Sequence, residues 1–143
     1  MINPVELRLG NWLLKNEEEP VHVACIGSLA IGVWQCLTPQ WQYGETDQPE
    51  CSLLALNMLS PIPINQEWIN KLGIGKENDF GEREILIGGS VPMLLEGYRI
   101  CKNSTRGFTL DREGEALVTL VHIHQLQNII FALSGHELEM KEI

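Results

Sequence analysis

One stretch near the carboxyl end decides the fold: Ile123-His124-Gln125-Leu126-Gln127-Asn128-Ile129-Ile130-Phe131-Ala132-Leu133-Ser134-Gly135. Its apolar residues fall within about 120° of one another on a helix that turns by about 100° per residue. Gly135 follows at the place where a helix takes a left-handed cap. The pattern therefore predicts a helix over residues 123–134 with this apolar stripe: Ile123, Leu126, Ile129, Ile130 and Leu133.

The same helix carries a second face of mixed character. Phe131 lies about 140° away from Leu126 around the helix axis. It lines up with His124 and Asn128 at positions i, i+4 and i+7. Both faces are therefore expected to be covered, either by a loop or the C-terminal tail, or by a second subunit or protein partner. The second alternative makes His124, Asn128 and Phe131 interface candidates, since an aromatic side chain among polar groups suits an interface centre.

Short apolar runs in the first part of the chain predict strands. Trp12–Leu14 and Val21–Ile26 flank a polar break that ends in a proline, which is typical of a hairpin, and Leu29–Trp34 follows after a turn. In the second run Val21, Val23 and Cys25 share one face, so Cys25 is expected in the core. Three short strands bent by glycines predict a small curled antiparallel sheet or partial barrel.

The middle and second half alternate between helix and strand patterns. Two prolines keep residues 60–64 extended, Asn65 offers a helix N-cap, and Gly73 offers a stop, which predicts a short helix near 65–72. Strand patterns then return as Ile85–Ile87, Val91–Leu95, Tyr98–Cys101, Phe108–Leu110 and Leu117–Val121. The predicted class is α+β, a single domain over 1–143 with a β-rich part (1–59) and an α+β part (60–143).

Length and charge narrow the function classes. The 143 residues suit one domain, and 19 acidic against 10 basic side chains give a formal charge of −9. This balance excludes a broad cationic surface and argues against nucleic acid as a partner. The N-terminus lacks the apolar run of a signal peptide, and no stretch has the roughly eighteen uncharged apolar residues of a membrane helix. We expect a cytoplasmic protein that binds no membrane.

Three pieces of the chain resemble a known group of proteins. The run His124–Leu138, which contains an HQLQNxxFALSG-type motif, resembles a C-terminal signature of short uncharacterised proteins from Bacteroidetes genomes and their prophages. Leu7–Trp12 and Pro61–Ile64 with the helix after it are similar to the same group, and the strands between match in pattern only. The resemblance implies no catalytic residues. It implies a single-domain cytoplasmic protein of mobile-element origin.

Histidines and cysteines provide the alternative of a small metal-dependent hydrolase. His122 and His124 could ligate zinc together on a strand, but on a helix they lie about 200° apart and cannot converge. His22 is a further candidate for this enzyme. The four cysteines form no C-x-x-C pair, so neither a zinc ribbon nor a redox site is indicated, and Cys101 is expected to be a core residue like Cys25. We expect no cofactor.

Two further features bear on partners. Trp41 lies between Gln40 and Gln42 after a proline, so it is expected to be exposed and is a fourth interface candidate. The other tryptophans are expected in the core, or else on a sheet face as a ligand platform. A loose basic cluster could hold an acidic partner if it gathered on one hairpin: Arg99, Lys102, Arg106 and Arg112.

These observations together favour a non-enzymatic protein–protein interaction or assembly protein, with a protein partner or self-association through the terminal helix. The alternatives are the small metal-dependent hydrolase and a regulatory adaptor associated with nucleic acid, which rests on analogy alone. The sequence predicts no catalytic residue.

Overall fold

The strands form two antiparallel sheets in the computed structural model, which describes residues 2–34, 52–87, 93–103, 105 and 107–138. The first sheet has the order β4-β3-β2-β1-β5, and the second has the order β6-β7-β8-β9. Both sheets are open over the described residues, so the predicted α+β class is confirmed and no barrel closes there. The strands are β1 (Trp12–Lys15), β2 (Glu19–Ile26), β3 (Ala30–Trp34), β4 (Ser52–Ala55), β5 (Leu59–Pro61), β6 (Glu82–Ile87), β7 (Met93–Asn103), β8 (Gly107–Arg112) and β9 (Glu115–Leu120).

Two α-helices follow the predicted positions closely. Helix α1 (Gln66–Leu72) begins after Asn65, whose side-chain oxygen accepts a hydrogen bond from the backbone N–H of Trp68 at 2.9 Å. Helix α2 (Ile123–Ser134) ends at Gly135, which takes the left-handed conformation. Short 3-10 turns lie at Pro4–Glu6 and Leu56–Met58. The caps read from local sequence are therefore confirmed for both α-helices.

The prediction that Cys25 lies in the core is wrong. Val21 and Val23 are fully buried on β2, as expected from alternation. The register against β3 then shifts between Val23 and Cys25, so that Ala24 is an extra residue on β2. Such a bulge turns the following side chain to the other face of the sheet, and Cys25 is exposed. Cys101 is half-buried, not fully buried.

The second sheet also departs from the predicted strand limits. The sequence predicted separate strands over Val91–Leu95 and Tyr98–Cys101, whereas β7 is continuous from Met93 to Asn103. The strand predicted over Phe108–Leu110 is longer at both ends, because β8 runs from Gly107 to Arg112. Both differences arise from pairing with neighbouring strands, which extends a strand beyond its own apolar run.

Two hydrophobic clusters fill the interior of the described chain. One lies within the first sheet and includes Leu13, Val21 and Ile31. The larger one joins Trp12 and helix α1 to the second sheet and to Ile123, Leu126 and Ile130 of helix α2. The predicted stripe of α2 is confirmed at these three residues, while Ile129 is half-buried and Leu133 remains 43% exposed. No helix in the described part of the chain has an apolar stretch long enough to cross a membrane.

Candidate functional site

The second face of helix α2 is covered by the amino-terminal segment of the chain itself. The guanidinium carbon of Arg8 lies 4.1 Å from the centre of the Phe131 ring. Its Nε donates a hydrogen bond to Oδ1 of Asn128 at 2.9 Å, and Nδ2 of Asn128 donates to the carbonyl of Glu6 at 2.9 Å. His124 is only 4% exposed, whereas Phe131 keeps 40% exposure. A loop of the same chain thus occupies the face on which these three interface candidates lie.

Arg8 also ties this face to the residues after the helix. Its Nη1 donates to Oε2 of Glu137 at 2.8 Å and its Nη2 donates to Oε1 at 3.1 Å, a two-point ion pair between half-buried side chains. Buried Asn11 adds a bond from Nδ2 to Oδ1 of Asn128 at 2.9 Å. We call the set Arg8, Asn11, Gln127, Asn128 and Glu137 the terminal clamp.

Gln127 is the buried centre of the terminal clamp. Its side chain has no exposed surface, yet each polar atom is paired. Oε1 accepts a hydrogen bond from the backbone N–H of Trp12 at 2.9 Å, and Nε2 donates to the carbonyls of Gly10 at 3.1 Å and Leu138 at 2.8 Å. The segments Leu7–Trp12 and His124–Leu138, which carry the resemblance described above, therefore contact each other.

The histidine pair lies closer together than the sequence predicted. His122 precedes the helix in an extended conformation, so the separation of about 200° expected for two helical residues does not apply to this pair. The ring of His122 stacks on that of His124, with 5.3 Å between the ring centres. Burial lowers the pKa of His124, and the charge of His122 lowers it further. In the described ranges, no group of three or more His, Cys, Asp or Glu side chains is placed to hold a metal ion.

The remaining sequence candidates do not come together. His22 is fully buried between the rings of Trp12 and Trp34, at centroid distances of 4.9 and 5.6 Å, so these tryptophans pack in the interior and form no platform. Trp41 lies outside the described residues.

The loose basic cluster does lie on one hairpin, since Arg99 and Lys102 are on β7 and Arg112 is on β8, but its two arginines do not share a face. Arg99 pairs with Asp111 on β8, and Arg112 pairs with Tyr98, so adjacent positions place the two arginines on opposite faces of the sheet. Arg99 contacts Glu82, whereas the guanidinium carbon of Arg112 lies 5.7 Å from the ring centre of Tyr98. Arg106 lies outside the described residues.

A feature that sequence reasoning missed is a large bulge in β7. Glu84 pairs with Arg99 and Leu86 pairs with Leu94, so the single residue Ile85 on β6 stands opposite the four residues 95–98 on β7. Gly97 has a φ of +82°, a conformation that costs other residues free energy, and its carbonyl accepts a hydrogen bond from the N–H of Glu113 at 2.8 Å. The bulge is therefore tied to the β8–β9 turn at Gly97, while Tyr98 stays paired with Arg112 of β8.

The bulge forms one wall of a cavity of about 660 Å³, which we call the β7 groove. Ile85, Ile100 and Leu110 are buried in the core, and their strand neighbours point the other way. The groove therefore lies on the face of the second sheet that is turned away from the core. It is lined by Glu82, Glu84, Leu94, Leu95, Glu96, Gly97, Tyr98, Arg99, Cys101, Asp111, Glu113 and Gly114.

The β7 groove is acidic with an apolar portion. Five carboxylates line it against a single basic side chain, Arg99. A hydrogen bond to Glu82, and then the charges of Glu82 and Glu84, raise the pKa of Arg99. Leu94, at 45% exposure, supplies the apolar surface, whereas half-buried Leu95 and Tyr98 border the groove and pack against the larger core cluster.

The one thiol in the groove is poorly suited to catalysis. Burial raises the pKa of Cys101 to about 12, and Asp111 adds to this through a hydrogen bond and its charge. The reactive form of cysteine is the thiolate, so Cys101 stays protonated near neutral pH. The groove therefore offers recognition chemistry: charge, hydrogen-bond acceptors and apolar surface.

One sequence signal could have indicated the bulge. Gly97 follows Glu96 inside a run that otherwise reads as strand, and an isolated glycine in a strand pattern is typical of a bulge. The groove itself has no local signal, because its acidic residues come from three strands and a turn that pairing brings together.

Comparison of the chain with models of protein families, with curated proteins and with solved structures finds no match.

Proposed function

We propose that the chain is a non-enzymatic protein–protein interaction or assembly protein and that the β7 groove is its binding surface. The observation that carries the proposal is an exposed apolar side chain inside a polar rim: Leu94, 45% exposed, lines a cavity bordered by carboxylates. Protein interfaces combine an apolar centre with a polar rim in this way. A volume of about 660 Å³ is also within the range of roughly 300–1,000 Å³ of binding sites in general.

The groove suits this function better than the helix face does. His124 is nearly inaccessible and Asn128 bonds to Arg8, Asn11 and Glu6, so a partner would have to displace contacts of the chain itself. Leu94 in the groove needs no such displacement. Phe131, with 40% exposure, and Trp41 stay predicted accessory contacts.

The proposal includes a cytoplasmic location. The origin in mobile elements stays a prediction of the resemblance. Neither the metal-dependent hydrolase nor the nucleic-acid adaptor gains a supporting observation within the described ranges, since the histidine pair lacks further ligands and the arginines lie apart.

Affinity capture with matched variants tests the proposed function. Leu94→Asp places a charge on the apolar part of the groove, and Leu29→Asp places the same charge at a site that is 83% exposed between β2 and β3. We expect the protein captured from native cells to be retained by Leu29→Asp and lost with Leu94→Asp, with both variants showing the circular dichroism of the parent. Equal capture by both folded variants would contradict the proposal.

A further inference from the structure

We infer that the occupant of the β7 groove is a basic peptide segment, one in which Lys or Arg side chains stand beside apolar ones. This inference rests on the proposed function, because it names the chemistry of the partner at the same surface. Two independent properties of the groove lead to it, its charge and its apolar surface.

The charge of the groove selects a cationic occupant. Five carboxylates and one guanidinium line it, which leaves a formal charge of −4. Arg99 is already shared between Glu82 and Glu84, and no ion pair within the described ranges involves Glu96, Asp111 or Glu113. The formal charge of the whole chain, −9, also attracts cations. Complementary potentials speed association with a basic partner and disfavour an acidic one.

The apolar surface selects a peptide over a small cation. Leu94, Leu95 and Tyr98 line the same groove as the carboxylates. A polyamine would neutralise the acidic side chains but would leave Leu94 facing water, while Leu95 and Tyr98 already pack against the core. A peptide that alternates basic and apolar residues buries Leu94 as well, and burial of apolar area is the main favourable term in association. The occupant is therefore amphipathic and polymeric.

Selection from a library of random octapeptides tests the inference without knowledge of the natural partner. The immobilised full chain is the target, and the recovered peptides are sequenced and compared with the unselected library. We expect an excess of Lys and Arg and, within the same peptides, of apolar residues. Amide chemical shifts then locate the strongest recovered peptide, with the largest changes expected over residues 94–99 and 111–114.

Matched charge variants measure the electrostatic part. Glu84→Gln with Glu113→Gln removes two charges from the groove, and Glu17→Gln with Glu18→Gln removes two from the β1–β2 turn. The double variant in the groove is expected to lower the affinity for the recovered peptide about tenfold, and the double variant in the turn less than about twofold. The reason is that each ion pair at a surface contributes modestly and acts only over a short distance. Spermine is expected to compete with the peptide only weakly.

The outcomes separate the basic-peptide inference from the proposed interaction function of the groove. Peptides that shift the groove amides but carry no excess of Lys or Arg overturn the basic partner and leave the interaction function standing. Spermine that binds the groove as tightly as the peptide also overturns the peptide inference. Peptides that shift amides elsewhere, or a selection that recovers nothing, overturn both proposals. Enrichment of Lys and Arg, groove shifts and selective weakening by the double variant in the groove together support the inference.

Discussion

Replacement of Gln127 by leucine probes the buried centre of the terminal clamp. Leucine has a similar size, so Gln127→Leu fills the same space but removes all three hydrogen bonds of the side chain. The N–H of Trp12 and the carbonyls of Gly10 and Leu138 then lose their partner in a region from which water is excluded. A buried polar group left without a partner costs about 1–3 kcal/mol, so three of them at the lower part of that range cost about 3–6 kcal/mol.

Gln125→Leu is the matched control on the same helix. Gln125 also makes three hydrogen bonds, to the N–H groups of Val121 and His122 and to the carbonyl of Thr119. Gln125 is only half-buried, so water can replace its bonds, and the expected loss is about 1 kcal/mol or less.

Urea unfolding followed by tryptophan fluorescence measures the loss in the free energy of unfolding for both variants. An unchanged slope of this free energy against urea concentration shows that the same cooperative transition is observed. Total stabilities of single domains are about 5–15 kcal/mol, so Gln127→Leu is expected to remove a large part of the total. If the two leucine variants lose the same small free energy of unfolding, burial does not make the hydrogen bonds of Gln127 more important for stability than those of Gln125, and the prediction is contradicted.

Three further predictions concern the clamp, the histidine pair and the bulge. Single and double alanine variants of Arg8 and Glu137 should give a coupling free energy of about 1 kcal/mol in thermal or urea unfolding, since the ion pair is two-pointed but partly exposed; additive losses would contradict it. Burial, and then the charge of His122, lower the pKa of His124 in the folded chain. As the pH falls below about 6.5, His124 is therefore protonated in the unfolded chain before it is protonated in the folded chain. The stability that the neutral ring provides above about pH 6.5 is lost as the pH falls toward the folded pKa. Unfolding at pH 7.5 and 5.5 should therefore show a larger drop for the parent than for His124→Gln, and equal drops would refute the assignment. Gly97→Ala should cost about 1–2 kcal/mol because its φ is +82°, and an unchanged urea midpoint would show that the bulge is not constrained there.

Local chemistry explains which parts of the fold could be predicted from the sequence. The limits of helix α1 follow from Asn65 and Gly73, and those of helix α2 follow from its periodicity and Gly135. Each of these signals acts within a few residues. The bulges at Ala24 and at residues 95–98 could not be predicted in the same way, because strand pairing determines where an extra residue is accommodated.

The same distinction applies to the candidate site. Periodicity placed His124, Asn128 and Phe131 on one face of helix α2 and predicted that this face is covered; contacts of the N-terminal segment cover it at Asn128, while Phe131 stays 40% exposed. Arg8, more than a hundred residues away in sequence, supplies the cover, and no local pattern identifies it. Gln127 has a polar side chain at a buried position, so a hydropathy pattern assigns it to the wrong face. The β7 groove depends on three strands and a turn and is visible only in the folded chain.

Photo-crosslinking in native cells tests most directly whether the β7 groove is the working surface. A benzophenone amino acid replaces Leu94 in one variant and Phe131 in another, two positions of similar exposure, 45% and 40%, on different faces of the molecule. The account predicts a discrete protein adduct from position 94 and a much weaker one, or none, from position 131. A strong adduct from position 131 with none from position 94 would contradict it and would move the interface to helix α2.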